Sequence, residues 1–238
     1  MTTPSYATHL EPQHVAALFN TIAPRYDLLN DVISFGMHRS WKRRACAMLN
    51  LAPGQPGQTV LDICTGTGDL AGELLRLVGP KGQVVGIDFS SQMLAVAQAR
   101  FAGQPNVRFI QADALQLPFE PETFDGAIIS FGLRNLASAD AGLRAFARVL
   151  KPGAKLVCLD TVPGGGPPGF GFYFRHIMPK VGTLLGADHA SYNYLNASTE
   201  RFLPPPQLAE LFTTCGFAQP QVKFTGFGAA AIVCGTRL

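Results

Sequence analysis

The fold is decided by one stretch of the chain, Val60-Leu-Asp-Ile-Cys-Thr-Gly-Thr-Gly-Asp-Leu-Ala71. Its apolar, β-branched beginning predicts a buried strand over residues 59–63, and a helical pattern follows from about residue 69 to 78. Two glycines, Gly66 and Gly68, lie between these elements. Because a glycine has no Cβ, it lets the backbone turn sharply and approach a ligand closely. The stretch therefore predicts a strand, a glycine turn and a helix that open a ligand site.

Strand and helix patterns alternate along the chain beyond this unit. Strands are predicted over 84–88, 107–112, 124–131 and 155–162, and helices over 90–101 and 138–150, the last stopped by Pro152-Gly153. A final helix over 206–215 leads to two strands at about 219–225 and 229–236, joined as a hairpin through Gly226 and Gly228. This alternation predicts an α/β fold, a doubly wound and mostly parallel sheet with helices on both faces.

Two helical patterns precede the sheet region. The first, from Val15 to Asn30, is interrupted by Pro24, and the second, from Trp41 to Leu49, follows a turn-like Ser-Phe-Gly. A Pro- and Gly-rich linker occupies residues 51–58. We therefore expect an N-terminal helical cap over residues 1–50 and an α/β domain over 51–238. The Gly/Pro-rich stretch from Pro163 predicts a substrate-side insertion at about 163–200.

Composition excludes several classes of protein. The chain has 238 residues, of which 47% are apolar and 15% charged, so it is not a disordered chain. A net charge of +3 disfavours a dedicated nucleic-acid binder. The five cysteines are scattered without a CxxC pair, which predicts free thiols, a reducing compartment and no metal site. Because there is no signal segment and no run of about 18 apolar residues, we expect a cytoplasmic protein.

Acidic residues at the predicted strand ends indicate an adenosine-type ligand. Asp88 ends the strand after the glycine turn, 20 residues beyond Gly68, where a carboxylate accepts hydrogen bonds from ribose hydroxyls. Asp113 follows the third strand and can accept a hydrogen bond from an adenine amino group.

Two adenosine ligands compete for this site, a nicotinamide dinucleotide and S-adenosylmethionine. Asp62 and Asp69 bracket the glycine turn. A pyrophosphate prefers a helix N-terminus without nearby carboxylates, whereas a ligand with an ammonium and a sulfonium suits them. The charges therefore favour S-adenosylmethionine over the dinucleotide of an oxidoreductase.

The motifs resemble those of two nested families. The segments 61–68, 86–88, 112–119 and 123–125 are similar to class I S-adenosylmethionine-dependent methyltransferases, whose sheet has seven strands with the last one antiparallel. Three further segments resemble the quinone-biosynthesis C-methyltransferases: 19–42, 130–135 (Ser-Phe-Gly-Leu-Arg-Asn), and 177–179 together with 191–195. Members of that family methylate demethylmenaquinol, the related benzoquinol and demethylphylloquinol.

The resemblance implies a set of site residues and a reaction. The resemblance places cofactor contacts at Thr67, Asp88, Asp113, Ala114 and Ser130, and the glycine turn adds Asp62, Gly66 and Gly68. The implied reaction is C-methylation of a reduced polyprenyl- or phytyl-naphthoquinol, the last step of naphthoquinone biosynthesis, with a polyprenyl benzoquinol or another phenolic substrate as alternatives. The partners would be S-adenosylmethionine and a lipophilic quinol, with peripheral membrane contact and oligomeric state left open. An RNA methyltransferase and a non-catalytic adenosine-binding module are the remaining rivals.

Catalysis requires a group that favours the phenolate of the quinol. We expect Arg134 to do so by charge, aided by Asn135, with His38 as a candidate proton acceptor. Seven aromatic residues are candidates for an apolar channel: Tyr26, Trp41, Phe170, Phe172, Tyr173, Tyr192 and Tyr194. A cluster of basic residues, Arg39, Lys42, Arg43 and Arg44, predicts a solvated helix face, with attraction to anionic lipid as the alternative.

Overall fold

Seven strands form a single sheet in the computed structural model, which describes residues 19–51, 57–173 and 189–238. The strands are β1 (Thr59–Ile63), β2 (Gln83–Asp88), β3 (Val107–Gln111), β4 (Phe124–Ser130), β5 (Leu150–Thr161), β6 (Phe217–Thr225) and β7 (Ala230–Arg237). Their order across the sheet is β3-β2-β1-β4-β5-β7-β6. Neighbours from β3 to β5 are parallel, and β7 runs antiparallel to both β5 and β6. The predicted fold class is confirmed.

Helices cover both faces of this sheet. They are α1 (Tyr26–Ser34), α2 (Met37–Met48), α3 (Ala71–Val78), α4 (Ser91–Arg100), α5 (Ala139–Val149), α6 (His189–Arg201) and α7 (Pro205–Thr214). Residues 19–22 are also helical and lead into a 3₁₀ turn over Ala23–Arg25. The predicted interruption at Pro24 is confirmed, since proline lacks the N–H that a continuous helix needs.

Two layers of core side chains lie on opposite faces of the sheet because side chains alternate along a strand. On one face Val60 and Ile128 pack with residues of α2 and α3, such as Trp41 and Leu74. On the other face Leu61, Ala127 and Ile129 pack with residues of α5 and α7, such as Phe146 and Phe212. Helix α2 thus packs directly on one face of the sheet and contributes side chains to the core there.

Serine side chains cap the starts of two helices. Ser90 caps α4 by accepting a hydrogen bond from the Met93 N–H at 3.1 Å, and Ser138 caps α5 in the same way. The predicted start of the fifth strand at residue 155 is wrong, because β5 begins at Leu150. Pro152 and Gly153 lie inside β5 at a register shift, where a proline is tolerated because the ladder is interrupted.

Several sequence expectations concern residues outside the described ranges. These are residues 1–18, part of the 51–58 linker, and residues 174–188 of the expected insertion, including the segment at 177–179. The proposed boundaries at residues 50 and 163–200 therefore stay predictions. All five cysteines are free thiols, as expected from their spacing. Within the described ranges no helix combines the length and apolar character needed to cross a membrane.

Candidate active site

The carboxyl ends of β1, β2, β3 and β4 meet at one edge of the sheet, where a pocket of about 130 Å³ opens. The chain runs from β1 outward to β3 and then returns to β4 on the other side of β1. Ligands of open α/β sheets bind at such a reversal of strand order. Five of the predicted cofactor residues line this pocket: Gly66, Asp88, Asp113, Ala114 and Ser130.

Two carboxylates in the pocket are held in place by backbone donors. Asp88 accepts hydrogen bonds from the N–H groups of Gly66 at 2.8 Å and Ser90 at 2.9 Å. Burial raises the pKa of Asp88, and these N–H donors oppose that rise. Asp113 accepts from the Leu115 N–H at 2.8 Å. Both strand-end acids are therefore fixed at the pocket wall before a ligand binds.

Ser130 presents a polar atom that the described part of the protein leaves unpaired. Its Oγ is buried and has no hydrogen-bond partner among the described residues, and Ser130 is one of the residues that line the pocket. A buried hydroxyl without a partner costs free energy, on the order of 1–3 kcal/mol, unless a ligand or water pairs with it. The pocket thus combines two carboxylates, which accept hydrogen bonds, with a hydroxyl. These groups suit a ligand rich in hydroxyl and amino groups.

The other residues of the glycine turn shape the pocket rather than line it. A Cβ on Gly68 would lie 3.1 Å from Ala97 Cβ and from the ring of Phe109, so this glycine permits close packing on α4 and β3. Thr67 is buried and its hydroxyl donates to Asp27 of α1 at 2.7 Å. The structure therefore brings neither Thr67 nor Gly68 to the pocket wall.

The two acids that bracket the turn behave differently from the sequence argument. Asp62 is 1% exposed, accepts a 2.6 Å hydrogen bond from the Thr65 hydroxyl, and does not line the pocket. Burial raises the pKa of Asp62 to about 7. Asp69 forms a 2.7 Å ion pair with Lys42. Burial would raise the pKa of Asp69, but Lys42 outweighs it and the pKa is lowered. The structure does not bring either acid to the pocket wall as expected, and the charge of Asp69 is matched by Lys42.

Lys42 corrects a second expectation. It was predicted on a solvated helix face with Arg39, Arg43 and Arg44, but it is buried against Asp69 and lies 5.9 Å from the centroid of the Phe131 ring. The three arginines fit the prediction, since all of them are exposed on α2.

A second, apolar cavity of about 360 Å³ adjoins the first pocket. Phe19, Tyr26 and Phe131 line both spaces and therefore form their shared wall. Four of the predicted channel aromatics line the cavity, namely Tyr26, Trp41, Phe170 and Tyr194. Phe172 is exposed and Tyr173 packs on Phe35 at a ring distance of 5.5 Å, so neither is a wall residue. The side chain of Tyr192 lies outside the described part.

Arg134 is buried at the cavity wall and bound to an acid. Its Nη1 donates to Asp160 Oδ1 at 2.5 Å and to the Phe131 carbonyl at 2.8 Å. The guanidinium also lies over the Phe131 ring, 5.7 Å from its centroid. Its Nε is buried and has no partner among the described residues. Arg134 therefore carries a charge that Asp160 balances, while the N–H groups of Nε and Nη2 have no hydrogen-bond partner among the described residues.

Asn135 and His38 are both engaged by neighbours. Asn135 donates to the Phe131 carbonyl at 3.1 Å and accepts from the Tyr194 hydroxyl at 3.0 Å. His38 is buried, lines the apolar cavity, and has its Nδ1 2.7 Å from Ser34 Oγ. Burial, followed by the charge of Lys42, lowers the pKa of His38.

Sequence reasoning missed three residues that the tertiary structure makes important: Phe131, Asp160 as the partner of Arg134, and Ser34. One signal was available for Asp160. It lies near the carboxyl end of β5, the neighbour of β4, and Arg134 follows β4, so the two ends had to be adjacent. Nothing in the sequence indicated that Phe131 separates two pockets.

The sheet and the site together define the class of protein, an S-adenosylmethionine-dependent methyltransferase. The sheet is parallel apart from β7, and the strand-end acids and Ser130 surround a pocket at its switch point. A family model described as the ubiE/COQ5 methyltransferase family matches residues 7–237, and the chain belongs to that family.

Relatives and solved structures agree with this assignment. The chain is 40% identical over 230 residues to a demethylmenaquinone methyltransferase of Lactiplantibacillus plantarum, covering 94% of this chain and 96% of that protein. It is 38% identical over 231 residues to the protein of the same name from Desulfitobacterium hafniense, covering 94% and 90%. The fold is similar to that of a SAM dependent methyltransferase from Aquifex aeolicus, with a TM-score of 0.63, 20% identity and coverage of 96% and 100%.

The first pocket fits S-adenosylmethionine on the residues present. Asp88 and Asp113 would supply acceptors for ribose hydroxyls and an amino group, Gly66 would leave room for the ligand, and Ser130 would offer a hydroxyl that has no partner among the described residues.

Proposed function

We propose that the protein methylates a ring carbon of a demethylmenaquinol, the reduced form of a demethylmenaquinone. The observation that carries this proposal is the apolar cavity that shares a wall with the cofactor pocket at Phe19, Tyr26 and Phe131. A lipophilic ring in this cavity would meet the cofactor at that wall. The names of the relatives at 38% and 40% identity support this substrate class.

The chemistry requires the reduced ring. When bound, S-adenosylmethionine supplies a methyl group on a sulfonium, which an electron-rich carbon takes as the carbon–sulfur bond breaks and its electron pair stays on sulfur. A quinone ring is electron-poor, whereas a quinol hydroxyl donates electron density to the adjacent ring carbon, most strongly as phenolate. The protein contributes by holding the ring in place, an effect worth up to about 7–11 kcal/mol when the geometry is good.

Arg134 is the group that we expect to bind the quinol oxygen. Because Asp160 already balances its charge, we assign the contribution to the N–H groups of Nε and Nη2, which have no partner among the described residues and belong to a residue of the cavity wall. A donor fixed in an apolar site stabilises charge that develops on oxygen. Asn135 has both ends of its amide engaged, so we assign it a positioning role for Tyr194.

We also infer that the rim of the cavity contacts an anionic membrane surface, from which a quinol with a long tail would enter. Phe35 and Phe227 line the cavity and are 71% and 82% exposed. Exposed Arg44 donates to Thr225 Oγ1 at 3.5 Å, beside the turn that carries Phe227. Apolar tips next to basic side chains are typical of surfaces that bind anionic lipid.

Vesicle flotation tests this contact. We expect the protein to float with vesicles rich in phosphatidylglycerol more than with pure phosphatidylcholine, and Phe227→Ser to reduce that binding. Leu238→Ser is the matched control. Leu238 is 66% exposed, but its backbone N–H donates to the Gly216 carbonyl, so it lies near the amino end of β6 and not on the cavity rim. Equal binding by Phe227→Ser and wild type would contradict the assignment of the surface.

A methylation assay tests the function itself. The protein is incubated with S-adenosylmethionine and a short-tailed demethylmenaquinone, with and without dithionite, and the product mass is recorded. We expect a gain of one methyl group only with the reductant. Equal methylation without reductant would overturn the phenolate chemistry. A higher kcat/KM for the corresponding benzoquinol, tested in a parallel arm, would reassign the substrate.

A further inference from the structure

We infer that His38 accepts the proton of the quinol hydroxyl through Nε2, and that Ser34 fixes the imidazole tautomer that makes this possible. The inference rests on the proposed function and deepens it by assigning a proton acceptor and the residue that positions it. His38 lines the apolar cavity, so the ring is at the surface that a quinol would touch.

The hydrogen bonds of Ser34 leave a single arrangement of protons. Ser34 Oγ lies 2.7 Å from the Asn30 carbonyl oxygen and 2.7 Å from His38 Nδ1, and it accepts a 3.2 Å hydrogen bond from the His38 backbone N–H. A carbonyl oxygen can only accept, so the one proton of the hydroxyl lies toward Asn30. The contact with Nδ1 then requires that Nδ1 carries a proton and donates it. Neutral His38 is therefore protonated at Nδ1 and bare at Nε2.

The bare nitrogen is available for a substrate proton. Among the described residues no hydrogen-bond donor contacts Nε2, and Asp69 Oδ2 lies 3.8 Å away, beyond hydrogen-bond distance. His38 lines the apolar cavity, and we assign Nε2 as the acceptor for the proton of a hydroxyl that enters it.

The charges around His38 suit a base that is neutral at rest. Two ion pairs face the ring: Asp69 with Lys42, and Asp31 with Arg39. Burial and the charge of Lys42 lower the pKa of His38, which favours the neutral imidazole. Once it is protonated, a carboxylate lies 3.8 Å from each ring nitrogen, Asp31 at Nδ1 and Asp69 at Nε2, and both favour the cation.

Every proton in the proposed step is accounted for. The quinol O–H bond breaks, its proton forms a bond to Nε2, and the electron pair stays on the oxygen to activate the adjacent ring carbon. After methylation that carbon releases its own proton to water, and His38 returns its proton to the oxygen. The product is a quinol again, and one proton is released for each methyl group transferred.

Nitrogen NMR of the ligand-free protein tests the tautomer independently of activity. With ¹⁵N-labelled imidazoles, the His38 signals are identified by their loss in His38→Gln. We expect wild type to show protonated Nδ1 and bare Nε2, and Ser34→Ala to lose this preference. Ser34→Thr, which keeps the hydroxyl, should retain it. A His38 protonated at Nε2 in wild type would overturn the inference.

Kinetics test the role of the base. His38→Gln should lower kcat about 10²–10⁴-fold at pH 7 and recover part of that loss as the pH rises, because the substrate hydroxyl then ionises in solution. Ser34→Ala should lower kcat with little change in the KM for the quinol. Ser40→Ala is the matched control, since Ser40 also bonds a helix carbonyl, that of Met37, and does not line the cavity.

The outcomes separate the two proposals. If wild type methylates the quinol but His38→Gln, folded by thermal melting, keeps the wild-type rate and pH profile, the role of His38 is overturned and the function stands. If wild type forms no product from any reduced quinone, the proposed function is overturned, and the base assignment falls with it even when NMR finds the expected tautomer.

Discussion

The cofactor pocket and the apolar cavity adjoin each other but are built in different ways. The cofactor pocket takes its polar groups from the ends of adjacent parallel strands, and backbone N–H groups hold its acids. The apolar cavity is enclosed by side chains from α1, α2, the segment after β5, α6 and the turn before β7. Arg134, one of its lining residues, is buried in an ion pair with Asp160.

This difference separates two tasks. A pocket made by strand ends needs few residues, because the sheet itself fixes their spacing. A cavity for a lipophilic ring has no such scaffold, so packing and buried ion pairs must hold its walls. We therefore expect changes in the cofactor pocket to affect ligand affinity, and changes in the cavity wall to affect stability and turnover together.

The largest expected effect comes from the cavity side. Arg134→Ala leaves Asp160 buried without its partner, which should lower the free energy of unfolding by about 3–5 kcal/mol, as measured by urea denaturation. It should also lower kcat more than it weakens cofactor binding. The double variant Arg134→Ala/Asp160→Asn should recover part of the stability. An equal loss of cofactor affinity would erase the distinction between the two regions.

Asp62 is a buried acid beside the cofactor pocket, and its ionisation should affect the stability of the protein. Its pKa of about 7 in the folded protein exceeds the unfolded value of about 3.9, so the folded state binds the extra proton between these pH values. The free energy of unfolding should therefore fall as pH rises from about 4 to 7, by up to about 1.4 kcal/mol per pH unit from this group. Denaturation at several pH values should show that Asp62→Asn removes this slope. An unchanged slope would mean that Asp62 is ionised throughout.

Asp88 tests the cofactor pocket directly. Asp88→Ala removes a carboxylate that accepts charge-assisted hydrogen bonds, so titration calorimetry should show S-adenosylmethionine affinity reduced about 10- to 100-fold. The quinol KM should change little. Asp125→Ala is a control, because that acid lies at the amino end of β4 and pairs with Lys151. Unchanged affinity in Asp88→Ala would remove this residue from the ligand site.

The smallest expected effect is at Ser130, where the strand end meets the wall between the two spaces. Ser130→Ala removes a hydroxyl that has no partner in the described part of the chain, so stability should change by less than about 1 kcal/mol. Cofactor affinity should fall a few-fold, as a single neutral hydrogen bond allows. A stability loss comparable to that of Arg134→Ala would show that the hydroxyl is structural.

The two regions also differ in what sequence reasoning could find. Asp88 ends one predicted strand and Asp113 follows the next, and parallel strands bring their carboxyl ends to one edge, so these two positions followed from the pattern. Ser130 followed from the family resemblance. Asp69 and Lys42 show the limit of that reasoning. The charge argument treated Asp69 as free, because the pattern does not reveal that α2 packs against the glycine turn and presents a lysine to it.

The sequence by itself determined the order of strands and helices, the glycine turn, the class of ligand and the family, because periodicity and motif spacing are local properties of the chain. The tertiary structure alone decided that Phe131 stands between two pockets, that Arg134 and Lys42 are buried on carboxylates, and that Ser34 orients His38. Those features depend on side chains that are distant in sequence or on hydrogen-bond directions, and burial gives them energies that no local pattern encodes.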